Sequence, residues 1–525
     1  MTRLTVLGGV LAVGLLGWSV AGYPGAAAGL ILGLAGGAIR WRHRQLWSWL
    51  ALWVRRRQPI VLGEPVTVTN DRSGGGVRYQ DGIVTVAVQL LGKPHLPTLF
   101  TGSASAETEN AADVVGLLPL LRQSMGLVVS SLSLVSAGSR RRSTGDYARV
   151  YDTLIGTPPY AGQRETWLIA RIPVLANADA LRWRSSMGTA ALAAAQRISA
   201  ALRQQGIRAR VATATDIVEM ERRLAGPGLD PRNRRWRSVR GETGWLTTYG
   251  YRPADISADK LAQAWSMQVD GIVQNVTLFP ERTAGGRRVG TAGGMAVATV
   301  TVRTAQPPSA PPGVLLQPLP GEQALGLAAN LCCPLPDLRG VSAGALPETL
   351  TVPIGPSGVL LGKVGAGNRL MLPLDDPGEF SRVHVAAEDY LAKRLVVRLA
   401  GSGERVTVHT RDPQRWASVR MPDVVVTGSA RPAPGTTVSV VDGTCAPAPR
   451  PGTVISVGAP RTAQPRAVDV LITQTGPAAL EVTTRTQVHA VEMELFRAEN
   501  RYVSSEAGNP AATIKSGTPE LEPAD

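Results

Sequence analysis

The stretch "ETWLIARIPVLANADALRWRSSMGTAALAAAQRISAALRQQGIRARVATATDI" (165–217) decides the fold of the first half of this chain. Its opening run, "RETWLIARIPV" (164–174), begins with polar residues, continues as an apolar segment and predicts a strand. A second segment, "SSMGTAALAAAQRISAALRQQ" (185–205), repeats apolar residues at helical spacing and predicts a helix. The face of that helix expected in the core consists of Met187, Ala191, Ala194, Ala195, Ile198 and Leu202.

This helix is expected to end at Gly206, because glycine readily takes the left-handed conformation found at helix C-termini. The run that follows, "IRARVATA" (207–214), alternates apolar residues with arginine and predicts a strand with one solvated face. Strand, helix and strand within about fifty residues make a βαβ-type unit, whose crossover is right-handed if both strands join one sheet. The predicted fold class is therefore α/β.

Upstream of this unit the sequence predicts further strands. "EPVTVTN" (64–70) and "GVRYQDGIVTVAVQLL" (76–91) alternate in the manner of strands, and the "QDG" within the second is a turn signal, so we expect a β-hairpin. "NAADVVGLLPLLRQSM" (110–125) predicts a short helix and "GLVVSSLSLVSAG" (126–138) a strand. Together these segments define a first α/β domain at 61–305.

Residues 1–40 predict a transmembrane helical hairpin. The runs 4–22 and 24–40 are apolar, and the first acidic residue of the chain is Glu64. Each run approaches the length that crosses a hydrocarbon layer of roughly 30 Å. The short connection "AGYP", with aromatic residues beside it, favours a tight turn between two helices. A secretory signal peptide is the competing interpretation, and the basic flank of the second run argues against cleavage.

Four glycines recur at every fourth residue of the second apolar run. They are Gly25, Gly29, Gly33 and Gly37. This spacing places them along one face of a helix, where they would let another backbone approach closely. The first apolar run and a partner protein are the two candidates for that contact, and an ordinary glycine-rich membrane helix is the plain alternative.

A basic, tryptophan-rich juxtamembrane segment follows at 41–60. By the positive-inside rule its arginines place this side in the cytoplasm. Arginine interleaved with aromatic residues can bind nucleic acid, but directly after a membrane helix it is more typical of a segment that lies on anionic lipid headgroups. We therefore expect membrane lipid and no nucleic acid as its partner. The predicted interface residues are Arg40, Trp41, Arg42, Arg44, Trp47, Trp49, Trp53, Arg55, Arg56 and Arg57.

A second arginine cluster lies in "PRNRRWRSVRGE" (231–242) and is denser than an ordinary solvated face. Such a cluster can meet an acidic protein surface, anionic lipid or nucleic acid. For a membrane-anchored subunit, an acidic partner is the most economical of these interpretations, and a plain soluble loop is equally open. The candidate partner surface consists of Arg232, Arg234, Arg235 and Arg237.

A proline-rich linker is expected at 306–324, because proline has a fixed backbone and no amide donor for helix or sheet interiors. Beyond it, 325–503 predicts a second α/β domain with a helix at 389–401. The polar tail, 504–525, is expected to be disordered. Strands of the second domain are expected at 382–387, 404–410, 423–428, 437–442, 453–458, 468–474 and 479–484.

The second domain also contains "SGVLLGKVGAGNR" (357–369), which has part of a phosphate-binding loop. That loop requires G-x-x-x-x-G-K-[ST] between a strand and a helix. Here Ser357 replaces a glycine, Val364 replaces the hydroxyl and a strand follows, so a tight glycine turn is expected instead. At "AEDYLAKR" (387–394) the strand-to-helix context is present, but the glycines and the hydroxyl are missing. We expect features of a degenerate P-loop fold without a working nucleotide site.

No catalytic, cofactor-binding or metal-binding residues are predicted. The five histidines show neither pairing at i, i+4 nor cysteine spacing that would frame a metal, and no G-x-S-x-G elbow supports a serine nucleophile. The cysteines, Cys332, Cys333 and Cys445, form no disulfide framework, which is typical of a reducing compartment.

The order of these features resembles the EccE family, the E component of the actinobacterial type VII (ESX) secretion core. The resemblance rests on the two apolar runs, the basic tryptophan-rich segment, the "DGIVTVAVQL" hairpin and 165–217, and it is most specific over 145–250. It implies a non-enzymatic, membrane-anchored structural subunit of an inner-membrane complex, with both soluble regions cytoplasmic. It also implies a large hetero-oligomer with the B, C and D components, of which C supplies ATP hydrolysis. No catalytic residues carry over from the family.

The rival hypothesis is a membrane-tethered enzyme or nucleotide-binding regulator that uses the α/β region at 350–460. It requires convergent catalytic groups, and the sequence offers only the two incomplete loops.

Overall fold

The computed structural model describes residues 3–38, 40–41, 44–55, 58–71, 73–102, 105–141, 145–280, 283–284, 287–288, 294–365, 367–443, 446–460 and 467–504.

The chain begins with a long apolar helix, Arg3–Ala38. Within it, Leu7–Gly36 has the length and composition to cross a membrane, and little of it is buried. The backbone leaves helical geometry at Ala21 (φ −139°, ψ 21°) and at Gly22 (φ 61°, ψ −142°). Gly22 therefore has the positive φ that glycine adopts without steric cost. A second helix, Leu46–Arg55, follows.

The chain divides into two compact units that interleave in sequence. The first unit, which contains the N-terminal helices, comprises Met1–Lys93, Thr108–Arg140 and Thr157–Pro356. The second unit comprises Pro94–Glu107, Arg141–Gly156 and Ser357–Asp525.

One antiparallel sheet forms the centre of the first unit. Its strands, in spatial order, are Val239–Arg240, Trp245–Gly250, Gly294–Thr304, Gly271–Pro280, Ser131–Ser139, Gln163–Pro173, Ile83–Leu90, Gly74–Gln80 and Val66–Thr69. Short strands that pair beside this path are Ala209–Val211, Gln317–Pro318 and Gly344–Ala345. The α-helices of this unit after residue 55 are Ala178–Leu181, Met187–Gln204, Ala214–Leu224, Ala258–Ala262 and Gln323–Ala328.

The predicted strand–helix–strand unit is present in this sheet. Strand Gln163–Pro173 leads to helix Met187–Gln204 and then to strand Ala209–Val211. Both strands pair antiparallel with Ile83–Leu90, so they run parallel to each other with one strand between them. That middle strand belongs to the predicted hairpin with Gly74–Gln80. The unit is therefore a split βαβ arrangement within an antiparallel sheet.

The ends of helix Met187–Gln204 follow the sequence signals. The Ser186 side chain accepts a hydrogen bond from the Thr189 amide at the N-terminus, as N-cap serines do. At the other end Gly206 has a φ of 80°. The predicted apolar face is confirmed, with five of its residues fully buried: Ala191, Ala194, Ala195, Ile198 and Leu202.

Each face of the first sheet has its own apolar core, because strand side chains alternate between faces. On one face, helix Met187–Gln204 packs on Val86 and Val88. On the other face, helix Ala214–Leu224 packs with Ala87. Helices thus cover both faces of this sheet, although its strands are antiparallel.

The segment predicted as a helix at 110–125 forms a different structure. It begins with a short strand, Ala111–Asp113, and continues as two 3₁₀ helices, Val115–Leu121 and Ser124–Gly126. The first of these contains Pro119, which has no amide hydrogen to donate and prevents a regular α-helix.

A mixed sheet with a parallel centre forms the second unit. Its strands, in spatial order, are Val424–Thr427, Val406–Thr410, Val438–Asp442, Thr453–Gly458, Ser381–Ala386, Val470–Gln474, Ala479–Thr484, Val488–Glu492, Val359–Val364, Asn368–Leu372, Thr98–Thr101 and Ser105–Thr108. The first six pair in parallel. Its α-helices are Asp146–Ile155, Asp389–Ser402 and Asn500–Val503. The seven strands and the helix predicted from 382 to 484 are confirmed to within two residues at each end.

The boundary between the units lies later in the sequence than the proline-rich segment. Residues 306–324 lie inside the first unit, where Gln317–Pro318 pairs with strand Trp245–Gly250. Helix Asp146–Ile155, which the sequence placed in the first domain, belongs to the second unit and packs on helix Asp389–Ser402. Long-range pairing, which composition does not reveal, sets these boundaries.

Candidate membrane and partner interface

Three of the four regularly spaced glycines lie where the two halves of the N-terminal helix, before and after Gly22, contact each other. A Cβ added at Gly25 would lie 2.1 Å from the Gly17 carbonyl oxygen, and one at Gly33 would lie 2.9 Å from Val10 Cα. Gly29 is approached just as closely. Only glycine allows such an approach, because any side chain would overlap the facing backbone.

For the remaining residues of the predicted glycine face and membrane interface, the side-chain surroundings lie outside the described part of the structure. These residues are Gly37, Arg40, Trp41, Arg42, Arg44, Arg55, Arg56 and Arg57.

Trp47 joins helix Leu46–Arg55 to the end of the apolar helix. Its indole Nε1 donates a hydrogen bond to the Gly33 carbonyl oxygen at 3.0 Å. The ring also fills the space beside Gly36, where an added Cβ would lie 2.7 Å from Nε1. The short helix is therefore held against the last turns of the membrane-length helix.

One face of helix Leu46–Arg55 is apolar and exposed. Leu50, Trp53 and Val54 are 50, 53 and 61% exposed, and their spacing of three and four residues puts them on one face. An apolar face on a short helix beside a membrane span is typical of a segment that lies in the membrane interface.

The loop that carries the predicted arginine surface contacts this same helix through Trp236 and the segment after the helix through Arg234. The ring centroids of Trp236 and Trp49 are 5.9 Å apart. The Arg234 guanidinium donates from Nη1 to the Gln58 carbonyl oxygen at 2.6 Å and from Nη2 to the Leu229 carbonyl oxygen. Burial lowers the pKa of Arg234. Arg234 therefore binds within the chain.

The other three arginines of the cluster, Arg232, Arg235 and Arg237, are exposed. The Arg235 guanidinium lies 4.4 Å from the centroid of the Trp245 ring, a cation–π contact. Within the described part of the chain, the guanidinium groups of Arg232 and Arg237 have neither a hydrogen bond nor an ion pair. Their charges therefore face solvent uncompensated.

The glycine-rich stretch 357–369 forms a β-hairpin, which confirms the expected glycine turn. Strand Val359–Val364 pairs antiparallel with Asn368–Leu372. The Lys363 ammonium lies 3.5 Å from Glu494 Oε1. A lysine on a strand beside a carboxylate lacks the loop of backbone amides that holds a phosphate.

At the second incomplete loop an arginine lies between two carboxylates. Asp389, at the start of helix Asp389–Ser402, pairs with the Arg415 guanidinium. Arg415 Nη1 also donates to Asp442 Oδ1 at 2.8 Å, and Trp416 Nε1 donates to Asp442 Oδ2 at 2.7 Å. Asp442, at the end of strand Val438–Asp442, thus belongs to a polar cluster at the carboxyl end of the parallel strands.

The charges in this cluster disfavour a phosphate. Hydrogen bonding to Arg415 lowers the pKa of Asp389, so this carboxylate is ionised at neutral pH. Burial lowers the pKa of Lys393. A phosphate here would displace Arg415 from two carboxylates and then face both of them, which is electrostatically unfavourable.

The histidines of the second sheet have ordinary hydrogen-bond partners. His384 Nδ1 lies 2.8 Å from Ser456 Oγ, and His409 Nε2 lies 2.9 Å from Ser439 Oγ. Among the residues that the structure describes, no group of three His, Cys, Asp or Glu side chains is placed to hold a metal ion.

Sequence reasoning missed a buried polar cluster on the first sheet. Arg78 donates to both carboxylate oxygens of Glu221, at 2.5 and 2.7 Å, and to the Cys332 carbonyl oxygen. Arg171 Nε donates to the Cys333 carbonyl oxygen at 2.7 Å. Single arginines inside the apolar strand segments "GVRYQ" and "LIARIPV" were the available signal. The cluster therefore binds the segment at Cys332 and Cys333, which is neither helix nor strand, to the sheet.

These features define a protein of two α/β units with one N-terminal helix long and apolar enough to span a membrane. A family model described as "Putative type VII ESX secretion system translocon, EccE" matches residues 160–251, which contain most of the split βαβ arrangement. The chain is 48% identical over 513 residues to the ESX-2 secretion system protein EccE2 of Mycobacterium tuberculosis, covering 93% of each chain.

Two further relatives are more distant. The ESX-1 secretion system protein EccE1 of Mycobacterium tuberculosis is 27% identical over 414 residues, covering 72% of this chain and 75% of that protein. The ESX-5 secretion system protein EccE5 of Mycobacterium marinum is 31% identical over 114 residues, covering 21% of this chain and 28% of that protein. The chain belongs to the EccE family of type VII (ESX) secretion components.

Proposed function

We propose that this chain is a non-enzymatic structural subunit that anchors an ESX secretion complex in the inner (cytoplasmic) membrane. The observation that carries the proposal is the continuous contact from membrane helix to soluble unit. Trp47 binds the Gly33 carbonyl, and Trp49 packs on Trp236. A membrane anchor that is packed against its soluble unit in this way suits a subunit that holds the other components of the complex in fixed positions.

The proposed anchor is a hairpin of two membrane spans, about 4–22 and 24–40, with both soluble regions in the cytoplasm. Three observations support it. The backbone leaves helical geometry at Ala21 and Gly22, residues 10–17 lie against residues 25–33, and arginines flank the apolar region on one side.

Cysteine labelling tests this topology. Tyr23, beside the proposed turn, is 79% exposed, and Val314 in the first unit is fully exposed. Tyr23→Cys and Val314→Cys are each introduced together with Cys445→Ser. The native Cys332 and Cys333 are buried, and burial raises the pKa of their thiols to about 12 and about 11, which makes them unreactive. A membrane-impermeant maleimide should label Tyr23→Cys in intact spheroplasts and Val314→Cys only after permeabilisation; the reverse pattern contradicts the topology.

The proposed partners are the B, C and D components of the secretion core, together with membrane lipid, in a large hetero-oligomeric complex. We propose no nucleic-acid partner. A chromosomal deletion of this chain should abolish secretion through its ESX system, and the full chain should restore it. A chain that lacks residues 1–57 should fail to restore secretion. If the shortened chain restores secretion fully, the anchoring role is excluded.

The second candidate function is nucleotide binding by the 350–460 region. It is favoured by the strand-to-helix connection at 387–394, with Lys393 in the helix. The Arg415 position between Asp389 and Asp442 opposes it. Calorimetric titration of the purified full chain with ATP and Mg²⁺ should give no heat of binding. A dissociation constant below about 1 mM, lost in Lys393→Ala, would favour the second function.

A further inference from the structure

We propose that the loop at 231–242 is a second membrane contact, whose exposed arginines bind the anionic headgroups of phospholipids in the bilayer that holds the N-terminal helix. This inference rests on the proposed membrane anchoring and specifies which part of the first unit lies on the bilayer. It assigns the arginine cluster to lipid, where the sequence alone left an acidic protein partner and a plain soluble loop equally open.

The position of the loop follows from a chain of contacts to the membrane helix. The apolar stretch ends at Gly36, and Trp47 binds the Gly33 carbonyl oxygen at 3.0 Å. Trp49 lies about 3 Å further along the helix axis, and its ring is 5.9 Å from that of Trp236. The headgroup layer is about 5–7 Å thick on each side of the hydrocarbon, so the loop lies within reach of it.

The loop is also held at this level by a second contact. Arg234 donates a hydrogen bond to the Gln58 carbonyl oxygen, three residues after the end of helix Leu46–Arg55. The exposed apolar face of that helix contains Leu50, Trp53 and Val54. Because this face suits the acyl boundary, the arginines of the attached loop are continuous with an interfacial surface.

The charge of the loop suits an anionic surface. Arg232, Arg237 and Arg240 are exposed, and in the described part of the chain their guanidinium groups have no hydrogen bond or ion pair. The acidic residues nearby are Asp230 and Glu242. Asp230 Oδ1 accepts the Arg232 amide, and Glu242 interacts electrostatically with Arg222 outside the loop. A positive excess therefore remains on the loop and attracts anionic headgroups.

The aromatic side chains of the loop and of the strand that follows it, Trp236 and Trp245, are covered by other residues and are not available for nucleic acid. Binding of single strands needs aromatic faces on which bases stack. Trp236 packs against Trp49 and Gly321, where an added Cβ would lie 2.8 Å from Trp236 Cη2. Trp245 is covered by Arg235. Within the loop itself, the exposed guanidinium groups are not accompanied by a free aromatic ring, and this combination favours phosphate headgroups.

Hydrogen–deuterium exchange of the full chain in lipid nanodiscs tests the inference. One set of discs contains phosphatidylcholine alone, and the other contains equal parts of phosphatidylcholine and phosphatidylglycerol. We expect the amides of 231–242 to exchange several-fold more slowly in the anionic discs, and high salt should remove the difference. Arg232→Gln/Arg237→Gln should lose the protection. The matched control, Arg122→Gln/Arg182→Gln, removes two exposed arginines from other parts of the first unit and should retain it.

The outcomes separate the two proposals. If the chain does not co-elute with nanodiscs, the membrane anchoring itself fails. If the chain co-elutes but 231–242 exchanges equally in both kinds of disc, the loop does not bind headgroups. The inference is then wrong, and an acidic protein surface becomes the better candidate partner. Equal loss of protection in both double variants would also overturn the inference, because net charge alone would explain the effect.

Discussion

At the scale of single residues, the Arg78 side chain joins three parts of the first unit. Its guanidinium is 2% exposed and pairs with Glu221, which is 9% exposed. The same group binds the Cys332 carbonyl oxygen. A buried charge is tolerated only with such partners, because leaving one charge unpaired in a low-dielectric interior is costly.

Glu221→Gln is expected to destabilise the first unit by about 3–5 kcal/mol, because it leaves the Arg78 charge buried without a counter-ion. Thermal unfolding of the detergent-purified chain, followed by circular dichroism, should show a midpoint lower by several degrees. Glu219→Gln on the same helix is the matched control, since Glu219 pairs with Arg222 on the surface. A control that lowers the midpoint as much would contradict the role assigned to Arg78.

The Asp389–Arg415 pair predicts a dependence of stability on pH. Hydrogen bonding to Arg415 lowers the pKa of Asp389 below its ordinary value of 3.8. A carboxyl whose pKa is lower in the folded state contributes stability above its ordinary pKa, and that contribution is lost as pH falls through the lowered pKa. Arg415→Gln should remove this contribution.

Urea unfolding of the full chain between pH 6 and about 3 measures this effect. On acidification, the free energy of unfolding of the unmodified chain should fall more than that of the Arg415→Gln variant. Arg411→Gln, an exposed change nearby, should behave like the unmodified chain. Identical acid dependence in all three proteins would show that the pair does not contribute.

At the scale of elements, the N-terminal helix and helix Leu46–Arg55 form one packed group. The close approach at Gly25, Gly29 and Gly33 requires the absence of side chains. The Trp47 hydrogen bond adds a fixed orientation to the short helix. The regularly spaced glycines of the apolar helix therefore lie in backbone contacts within the chain.

Gly33→Val should disrupt this packing, because its side chain would meet Val10. Gly9→Val is the matched control, since an added Cβ at Gly9 meets nothing within 4 Å. Blue native electrophoresis of membrane extracts should show less of the large complex for Gly33→Val and an unchanged amount for Gly9→Val. Equal amounts of complex in both variants would indicate that the contact is dispensable.

The pairing of Trp49 with Trp236 gives a second prediction at this scale. Trp49→Ala and Trp236→Ala should each loosen helix Leu46–Arg55 from the first unit, and a double-mutant cycle should give a coupling of about 0.5–1.5 kcal/mol. The coupling is measured from thermal unfolding of the four proteins in detergent. A coupling near zero would mean that the rings lie close without holding the two elements together.

At the scale of the whole molecule, local sequence patterns predicted the helices and strands better than they predicted the two compact units. Helix Met187–Gln204 and the strands from Ser381–Ala386 onward follow from periodicity and capping. The membership of Pro94–Glu107 and Arg141–Gly156 in the second unit does not. It depends on pairings such as that of Thr98–Thr101 with Asn368–Leu372, between residues far apart in sequence.

The same limit applies to the candidate interface. The glycine spacing and the tryptophan-rich segment could be read directly, because local spacing determines which face a helical residue occupies. The contacts of Arg234 with Gln58 and of Trp236 with Trp49 could not be read. They join residues that only the folded sheet brings together.

The most direct test of the structural role is a pull-down of the tagged chain from membranes extracted in mild detergent, with the recovered proteins identified and counted by mass spectrometry. We predict a megadalton-scale assembly that contains the B and D components and the C-component ATPase. Gly33→Val should reduce that recovery, and Gly9→Val should not. Recovery of the chain alone, or as a small homo-oligomer, would contradict its assignment as a structural subunit of the secretion complex.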